Sequence, residues 1–397
     1  MLRRSATLAA HVAGAWSLTA NGYLLTLLAA AAGAPRGRKE QSIADDLFMI
    51  ALVPAHDEQA GVATTVRALI SQDYPAERRE VVVIADNCSD QTAEKAREAG
   101  ATVWERHDLD NRGKGQAVAW AIERMWSTWP DVDAIAVVDA DCIATRGLLS
   151  GMVGELAAGA CAVQADNLVD HPELSGAAAR RWAGFALMHR VRGAGKTALG
   201  LSCGLFGTGM AFRADLLREL PWQSYSVTED AEYHVRIVQS GRRVVFLPGE
   251  SVRSAMPNSE SGAYEQQMRW ESGNASLIRR VLPGLIMGGL RNRDRQRLHT
   301  GLALLVPAQS LLAMLTVTTG ALGLMVRDRR ATTLAAAACA MQSAYVIGGL
   351  GIARAPAAVW LSLLAAPKLV AHKLIQGLAI ARGKSSTVWV RTARDQS

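Results

Sequence analysis

Charge is scarce in this chain of 397 residues, in which 20% are Asp, Glu, Lys or Arg and 50% are hydrophobic. Disordered proteins have the opposite composition, so disorder is excluded. The middle of the chain has no net positive charge, because residues 36–297 contain 31 basic and 34 acidic residues. The formal net charge of +7 comes from the two ends, which hold 12 basic and 2 acidic residues. The central region therefore lacks the basic face that nucleic-acid binding requires, and we expect no nucleic-acid partner.

Cysteine pairs and a phosphate-binding loop are also missing. The five cysteines are odd in number and include no Cys-x-x-Cys pair, which argues against a disulfide framework or a zinc site. The segment from Asn111 to Gly115 is a Gly-rich turn with Lys114 before a predicted helix, a place that suits an anion. It is not a P-loop, because GxxxxGK[ST] does not occur. A solvated turn is the alternative.

Long stretches without charge predict membrane helices at both ends. No Asp, Glu, Lys or Arg occurs in residues 5–35, 300–326 and 331–353. About 20 apolar residues cross a bilayer core, and inside lipid they must be helical. A cleaved signal peptide is the alternative for the first stretch, since Arg3 and Arg4 precede it.

The last apolar stretch, residues 355–380, is interrupted by Pro367, Lys368 and Lys373. It is either a third span after the central region or a helix that bends into an interfacial segment, because buried lysines are costly in lipid. Arginines on both sides of residues 281–290 predict an interfacial helix that meets anionic lipid headgroups.

These features give the expected domains. They are an N-terminal transmembrane helix (1–40), a cytoplasmic α/β domain (41–278), an interfacial helix (279–298), a C-terminal transmembrane region of two or three segments (299–381) and a basic tail (382–397). The expected location is the cell membrane, with several spans.

The middle alternates apolar strand-like runs with helical segments. Strands are predicted at 48–53, 80–85, 101–104 and 133–138, and helices at 62–71, 91–99 and 115–129. Continuous apolar strands separated by helices are typical of a mainly parallel sheet that is buried on both faces. Ligands bind such sheets at the carboxyl ends of the strands.

Polar clusters follow three of these strands. They are His56-Asp57-Glu58, Asp86-Asn87 and Asp139-Ala140-Asp141. Two carboxylates at i and i+2 can hold a hard cation and, through it, a diphosphate. A carboxylate at Asp86 can accept hydrogen bonds from a base or ribose. Solvated loops and a helix cap from Ser89 or Asp90 are the alternatives.

Three later segments are further candidates. Asp230 follows Thr228 and Glu229 at the start of a predicted helix, and burial or neighbouring acids would make it a general base. Helix capping by Thr228 or Ser226 explains the same composition. In the segment Gln266-x-x-Arg269-Trp270 the arginine can pair with a phosphate, and the tryptophan offers a flat face to a sugar; an ordinary amphipathic helix is the alternative. The Gly-rich run Phe206-Gly207-Thr208-Gly209 permits close approach of a ligand to the backbone, with a simple glycine-rich turn as the alternative.

In this order the segments resemble the membrane-bound family 2 glycosyltransferases, which include cellulose, chitin and hyaluronan synthases and ceramide glucosyltransferase. The resemblance spans residues 48–270 and the flanking membrane segments. It implies a GT-A-type nucleotide-sugar-binding domain and transfer of a sugar with inversion at the anomeric carbon. It also implies a nucleotide-sugar donor, expected to be a UDP-sugar, Mg²⁺ or Mn²⁺ as cofactor, and a glycan or lipid acceptor. Membrane lipids and proteins of a biosynthetic complex are further expected partners.

The resemblance also implies roles for individual residues. Asp57, Glu58, Asp86, Lys114, Asp139 and Asp141 would bind the donor, with Asp141 on the metal. Asp230 would deprotonate the acceptor hydroxyl. The diphosphate and the acceptor would be held by Gln266, Arg269, Trp270, Glu229 and the segment Phe206, Gly207, Thr208 and Gly209.

The chain departs from the polymer synthases in having only two or three predicted spans after the central domain. Synthesis of a bacterial exopolysaccharide or envelope glycan is expected, and formation of a glycolipid by addition of a single sugar is the alternative. Outside this activity, an inactive membrane scaffold and a nucleotidyltransferase are the competing interpretations. The acidic clusters argue against the first, and Gln-x-x-Arg-Trp argues against the second.

Overall fold

The computed structural model describes residues 2–34, 47–254 and 260–365, without the side chains of residues 2–4 and 260–271. The chain forms two compact units. The sheet unit contains the described residues of 35–170 and 200–301, and the helical unit contains those of 1–34, 171–199 and 302–389. The segment 171–199 thus groups with the apolar helices, whereas the sequence places it inside the domain 41–278.

Within the described part of the sheet unit, eight strands form one sheet. They are β1 (Met49–Ala55), β2 (Arg79–Asp86), β3 (Thr102–Arg106), β4 (Ala134–Val137), β5 (Cys142–Ala144), β6 (Ala162–Val169), β7 (Met210–Arg213) and β8 (Val244–Ser254). Their order is β3-β2-β1-β4-β7-β6-β8-β5. The pairs β1–β2, β2–β3, β1–β4 and β6–β8 are parallel, and β4–β7, β6–β7 and β5–β8 are antiparallel. The prediction of a mainly parallel α/β sheet is confirmed.

The helices of the described residues follow in chain order. They are α1 (Leu2–Gly33), α2 (Val62–Ile70), α3 (Thr92–Glu98), α4 (Lys114–Thr128), α5 (Leu148–Ala157), α6 (Gly176–Phe185), α7 (Arg192–Ala198), α8 (Ala214–Glu219), α9 (Glu229–Gln239), α10 (Glu260–Arg291), α11 (Arg295–Leu304), α12 (Gln309–Met325), α13 (Arg329–Ile352) and α14 (Ala357–Ser362). A π-helical stretch, Ala186–Val191, joins α6 to α7, and short 3₁₀ turns lie at Ala76–Arg78 and Leu363–Ala365.

The core of the sheet unit lies under the strands that read as continuous apolar runs. Strand β1 is buried along almost its whole length, and β4 is buried throughout. On one face the sheet packs against α2 and α5 through buried side chains such as Val66, Leu69 and Met152. A strand buried on both faces cannot alternate polar and apolar residues, which explains these runs.

Among the described residues of the helical unit, two helices are long and apolar enough to cross a membrane. They are residues Ser5–Gly33 of α1 and the whole of α13. Helix α1 packs along α12 and α13, and the buried Ser17 and Thr316 hydroxyls are 2.7 Å apart, so that each satisfies the other. Candidate membrane helices near both ends of the described chain agree with the prediction.

The stretch predicted as one span, residues 300–326, is broken. Helix α11 ends at Leu304, α12 begins at Gln309, and the two are bent by 64° relative to each other. Pro307 lies in the break, where it removes one backbone donor and disfavours a helical conformation at Val306. The pair adds a third candidate span only if it crosses as one bent element.

Two further predictions concern helix boundaries. In place of a separate interfacial helix at 279–298, the structure has the end of α10 and the start of α11. The C-terminal stretch is described only through α14 and the turn to Ala365. The choice between a third span and a bent segment therefore falls outside the described residues, as do the basic residues 36–39 and the tail 382–397.

Close packing of α7 on α1 depends on Gly195. A Cβ atom at this position would lie 2.3 Å from the Leu27 carbonyl oxygen, whereas a Cβ at Gly184 in α6 would meet nothing within 4 Å. We expect Gly195→Ala to lower the free energy of unfolding by about 1–3 kcal/mol, because the helices must move apart. The matched variant Gly184→Ala should raise it by up to about 1 kcal/mol. Thermal unfolding in detergent measures both, and equal effects would contradict the predicted contact.

Candidate functional site

The turn Asp139-Ala140-Asp141 follows β4 at the carboxyl edge of the sheet. The Thr65 hydroxyl donates a hydrogen bond of 2.8 Å to the Ala140 carbonyl oxygen. Gly61 lets α2 approach closely, since a Cβ there would lie 3.2 Å from the same oxygen. The backbone of the turn is therefore held against α2, and its two carboxylates project from a fixed frame.

The segment 206–209 reaches this turn because β7 is antiparallel to β4. Met210 pairs with Val137, so β7 begins where β4 ends. The Asp139 amide donates to the Thr208 hydroxyl at 3.0 Å. The predicted site residues Phe206–Gly209 and Asp139 are thus brought together by one strand reversal.

Lys114, the first residue of α4, reaches into the same place. Its Nζ lies 2.5 Å from Asp139 Oδ1, 3.7 Å from Glu229 Oε1 and 2.5 Å from the Gly207 carbonyl oxygen. Burial acts to lower the pKa of Lys114, but the charges of Asp139 and Glu229 outweigh it and hold that pKa above the usual range. Lys114 therefore carries its positive charge and lies in the middle of a cluster of acidic side chains.

Glu229 and Asp230 begin α9 beside this lysine. Burial raises the pKa of Glu229 to about 7, with Lys114 opposing the shift and Asp230 adding to it. Burial also raises the pKa of Asp230, against a hydrogen bond from the Ala231 amide and the charge of Lys114. A Cβ atom at Gly207 would lie 3.6 Å from both Asp230 Oδ2 and Lys114 Nζ, so Asp230 faces the same space. Thr228 precedes α9 without a capping hydrogen bond from its side chain.

The carboxylates of Asp139 and Asp141 form the group best suited to a divalent cation. Ligand atoms of Asp139, Asp141 and Cys142 lie within 4.8 Å of one another. Burial and the two neighbouring carboxylates hold the pKa of Cys142 well above its usual value, so the thiol stays protonated. A hard cation such as Mg²⁺ or Mn²⁺ prefers oxygen ligands, and the two carboxylates fit it. Asp57, Cys88 and Asp90 form a second group of this kind.

Asp86 ends β2 and is buried against a partner that the sequence did not reveal. Its Oδ1 accepts a hydrogen bond of 2.6 Å from Nη1 of the buried Arg106, the last residue of β3. Arg106 also contacts Asp108 at 2.8 Å. The ion pair fixes one oxygen of Asp86, and among the described residues its Oδ2 receives no hydrogen bond.

Asp57 and Glu58 lie in the loop after β1 and are braced by the loop after β2. Asp57 adopts a left-handed backbone conformation (φ 53°), and its Oδ1 accepts from the Ser89 amide at 2.7 Å. The Glu58 amide donates to the Thr92 hydroxyl at 2.8 Å. These two acids thus join neighbouring loops at the same edge, and no direct contact links them to Lys114 among the contacts described for the sheet unit.

The three predicted site residues Gln266, Arg269 and Trp270 belong to helix α10. Their side chains fall outside the described part of the chain, so the predicted roles at the diphosphate and the acceptor remain predictions.

Sequence reasoning missed Gln164, which is fully buried on β6. Its Nε2 donates to the carbonyl oxygens of Thr208 (2.9 Å) and Ala165 (2.8 Å), and its Oε1 accepts from the Phe206 amide at 2.8 Å. This side chain fixes the backbone of the segment 206–209. A polar residue inside an apolar strand was the available signal, but β6 itself was not predicted.

Comparisons with known proteins agree with this geometry. The model of the family described as "Glycosyltransferase like family 2" matches residues 48–273. The probable glycosyltransferase YdaM of Bacillus subtilis (strain 168) is 25% identical over 249 residues, 58% of this chain and 56% of that protein. The probable glucomannan 4-beta-mannosyltransferase 9 of Oryza sativa subsp. japonica is 24% identical over 277 residues, 64% of this chain and 50% of that protein. The chain thus spans about half the length of these curated relatives.

A solved structure has the same fold. The mannosyltransferase PcManGT from Pyrobaculum calidifontis, in complex with GDP-Man and Mn²⁺, superposes with a TM-score of 0.51 at 21% identity. The match covers 86% of this chain and 98% of that one, which confirms the predicted GT-A-type fold. Because the family model covers more than half of the residues and includes every predicted site residue, the chain belongs to glycosyltransferase family 2.

Proposed function

We propose that this protein transfers a sugar from a nucleoside-diphosphate sugar to a hydroxyl group of a membrane-associated glycan or lipid, with inversion at the anomeric carbon. The observation that carries this proposal is the convergence of Asp139, Lys114, Glu229 and Asp230 at the carboxyl edge of the sheet. One side of this cluster offers carboxylates for a cation, and the other offers a carboxylate with a raised pKa. Single-displacement transfer uses both, because the nucleoside diphosphate leaves the anomeric carbon while the attacking hydroxyl loses its proton.

The donor would bind along the ends of β2 and β4. Asp86, with one oxygen fixed by Arg106, would accept hydrogen bonds from the ribose or base through its other oxygen. Asp139 and Asp141 would hold Mg²⁺ or Mn²⁺, which when bound neutralises charge on the leaving diphosphate. Asp57 and Glu58 would shape the adjoining loop. Lys114 would supply a second positive charge from the helix N-terminus of α4.

The acceptor would lie between the segment 206–209 and the start of α9. There Asp230 would take the proton of the attacking hydroxyl, and Glu229 would keep Lys114 next to it. A base for this task must be within hydrogen-bond reach and have a pKa raised toward neutrality, as burial does for Asp230. The diphosphate and the acceptor would also be held by three residues of α10, Gln266, Arg269 and Trp270.

The identity of the transferred sugar is suggested only by similar proteins. Mannosyl transfer appears in the name of the rice relative and in that of the Pyrobaculum protein, which was solved with GDP-Man. GDP-mannose therefore joins the UDP-sugars as a candidate donor.

The function we favour is synthesis of an envelope glycan or exopolysaccharide by a cytoplasmic catalytic unit at the cell membrane. Addition of a single sugar to a lipid is the alternative, and protein partners in a biosynthetic complex remain part of the proposal. Mass spectrometry of lipid and polymer fractions after incubation with each donor separates the products.

Asp141→Ala should abolish metal-dependent nucleotide binding, because one of two carboxylate ligands is lost. Calorimetric titration of the purified full chain with UDP and GDP, with and without Mn²⁺, measures the effect. The matched variant Asp131→Ala removes an exposed acid from the loop before β4 and should bind as the wild type does. Unchanged Mn²⁺-dependent binding in Asp141→Ala would contradict the metal site.

Asp230→Asn should lower the turnover number by at least about 100-fold while nucleotide binding is retained, since a general base contributes that much or more. The base must be deprotonated to act, so wild-type turnover should decrease as the pH is lowered. Because burial raises the pKa of Asp230, the decrease should begin at a pH above the ordinary aspartate pKa of about 4. Release of nucleoside diphosphate across a pH series measures both. The control Asp215→Asn changes an exposed carboxylate that pairs with Arg213, and it should leave the profile unchanged. Normal turnover in Asp230→Asn would exclude this base.

Gln164→Leu should raise the Michaelis constant for the acceptor more than that for the donor, because the backbone of segment 206–209 loses its fixed position. Thermal unfolding should occur earlier as well, since each buried group left without a partner costs about 1–3 kcal/mol. The control is Gln223→Leu, which removes one exposed hydrogen bond to Arg236 and should change neither constant. Equal changes in both Michaelis constants would argue that Gln164 serves stability alone.

A further inference from the structure

The helical unit has a strongly basic segment that the proposed transfer reaction does not use. Residues 176–198, which form α6, the π-helical stretch and α7, are called the basic segment here. It contains Arg180, Arg181, Arg190, Arg192 and Lys196 and no acidic residue. All five side chains are half-buried. From this segment we infer a binding surface for the phosphate headgroups of anionic phospholipids.

The charge of the whole helical unit supports this partner. Residues 2–34, 171–199 and 302–365 contain 11 Lys and Arg residues but only two acids, Glu173 and Asp328. Glu173 contacts His171, and Asp328 contacts His11 and caps α13. The unit therefore has a large excess of positive charge, and anionic lipid is the partner that complements such an excess beside apolar helices.

The position of the basic segment matches the depth of lipid headgroups. Gly195 packs against the Leu27 carbonyl, six residues before α1 ends at Gly33, which is about 9 Å along a helix axis. Arg190 Nη1 donates to the Ala353 carbonyl oxygen at 2.8 Å, one residue beyond the end of α13. Both candidate spans thus end beside the basic segment, where a crossing helix leaves the hydrocarbon layer.

Exposed apolar side chains lie among these cations. Met188 is 49% exposed within the π-helical stretch, and Leu174, just before α6, is 79% exposed. An interfacial helix combines such side chains with Lys and Arg, whose apolar stems stay packed while their charged heads reach the phosphates. A site for free phosphate would need no exposed apolar side chains. The combination therefore favours a phospholipid over a soluble anion.

The test measures which lipids stay on the full-length protein. The protein is reconstituted with equal parts of phosphatidylcholine and phosphatidylglycerol, exchanged into detergent, and its retained lipids are counted by mass spectrometry. Wild type should retain phosphatidylglycerol in preference. In the double variant Arg180→Gln/Lys196→Gln, the ratio of retained phosphatidylglycerol to phosphatidylcholine should fall about fivefold for each charge removed. Arg180→Lys/Lys196→Arg keeps the charge and should retain it.

The control is Arg97→Gln/Arg146→Gln, which removes two exposed arginines of the sheet unit that pair with Glu105 and Asp73. It has the same change in net charge and should keep the wild-type preference. The single variant Arg180→Gln is measured in parallel, so that the surface is tested even if the double variant unfolds. An unchanged preference in both Gln variants overturns the inference. So does an equal loss in the control, or a preference that added inorganic phosphate removes.

Discussion

The ammonium group of Lys114 is the charge on which the candidate site depends. Asp139, Glu229 and Asp230 gather in a half-buried space, where like charges and burial both favour uptake of protons. Lys114 contacts the first two directly and opposes the rise in pKa of both Glu229 and Asp230. Removing this cation would leave three carboxylates to protonate or separate. The lysine thus keeps the three acids close together.

The topology of the sheet explains why these residues meet. Parallel strands β1, β2 and β4 bring their following loops to one edge, as expected for an α/β sheet. Strand β7 runs the opposite way beside β4, so the residues that precede it, 206–209, lie at that edge too. Gln164 and Thr208 then fix this segment to the neighbouring strand and to the Asp139 amide. The segment 206–209 is therefore joined to the Asp139-Ala140-Asp141 turn through hydrogen bonds of Gln164 and Thr208.

Local patterns in the sequence predicted much of the fold. The apolar runs that became β1, β2 and β4 and the Asp-x-Asp turn were recognisable because each depends on a few adjacent residues. The Asp86–Arg106 pair and the role of Gln164 were not, since they join residues 20 and more positions apart that no local rule connects. The basic segment was missed for another reason. Its arginines break the uninterrupted apolar run by which a membrane-associated helix is recognised.

Because the central region is acidic, a negatively charged donor would depend on a few individual cations at the candidate site. Residues 41–278 carry 22 basic and 32 acidic residues, although a nucleotide sugar is itself an anion. A net negative field acts over about 8–10 Å at physiological salt, whereas a contact within 4 Å in a half-buried site is screened far less. In the proposed function the acidic surface would therefore repel polyanions, while Lys114, the proposed cation and the Arg106–Asp86 pair would act on the donor at short range. Selectivity of the proposed site for a small diphosphate over nucleic acid would follow from this difference in range.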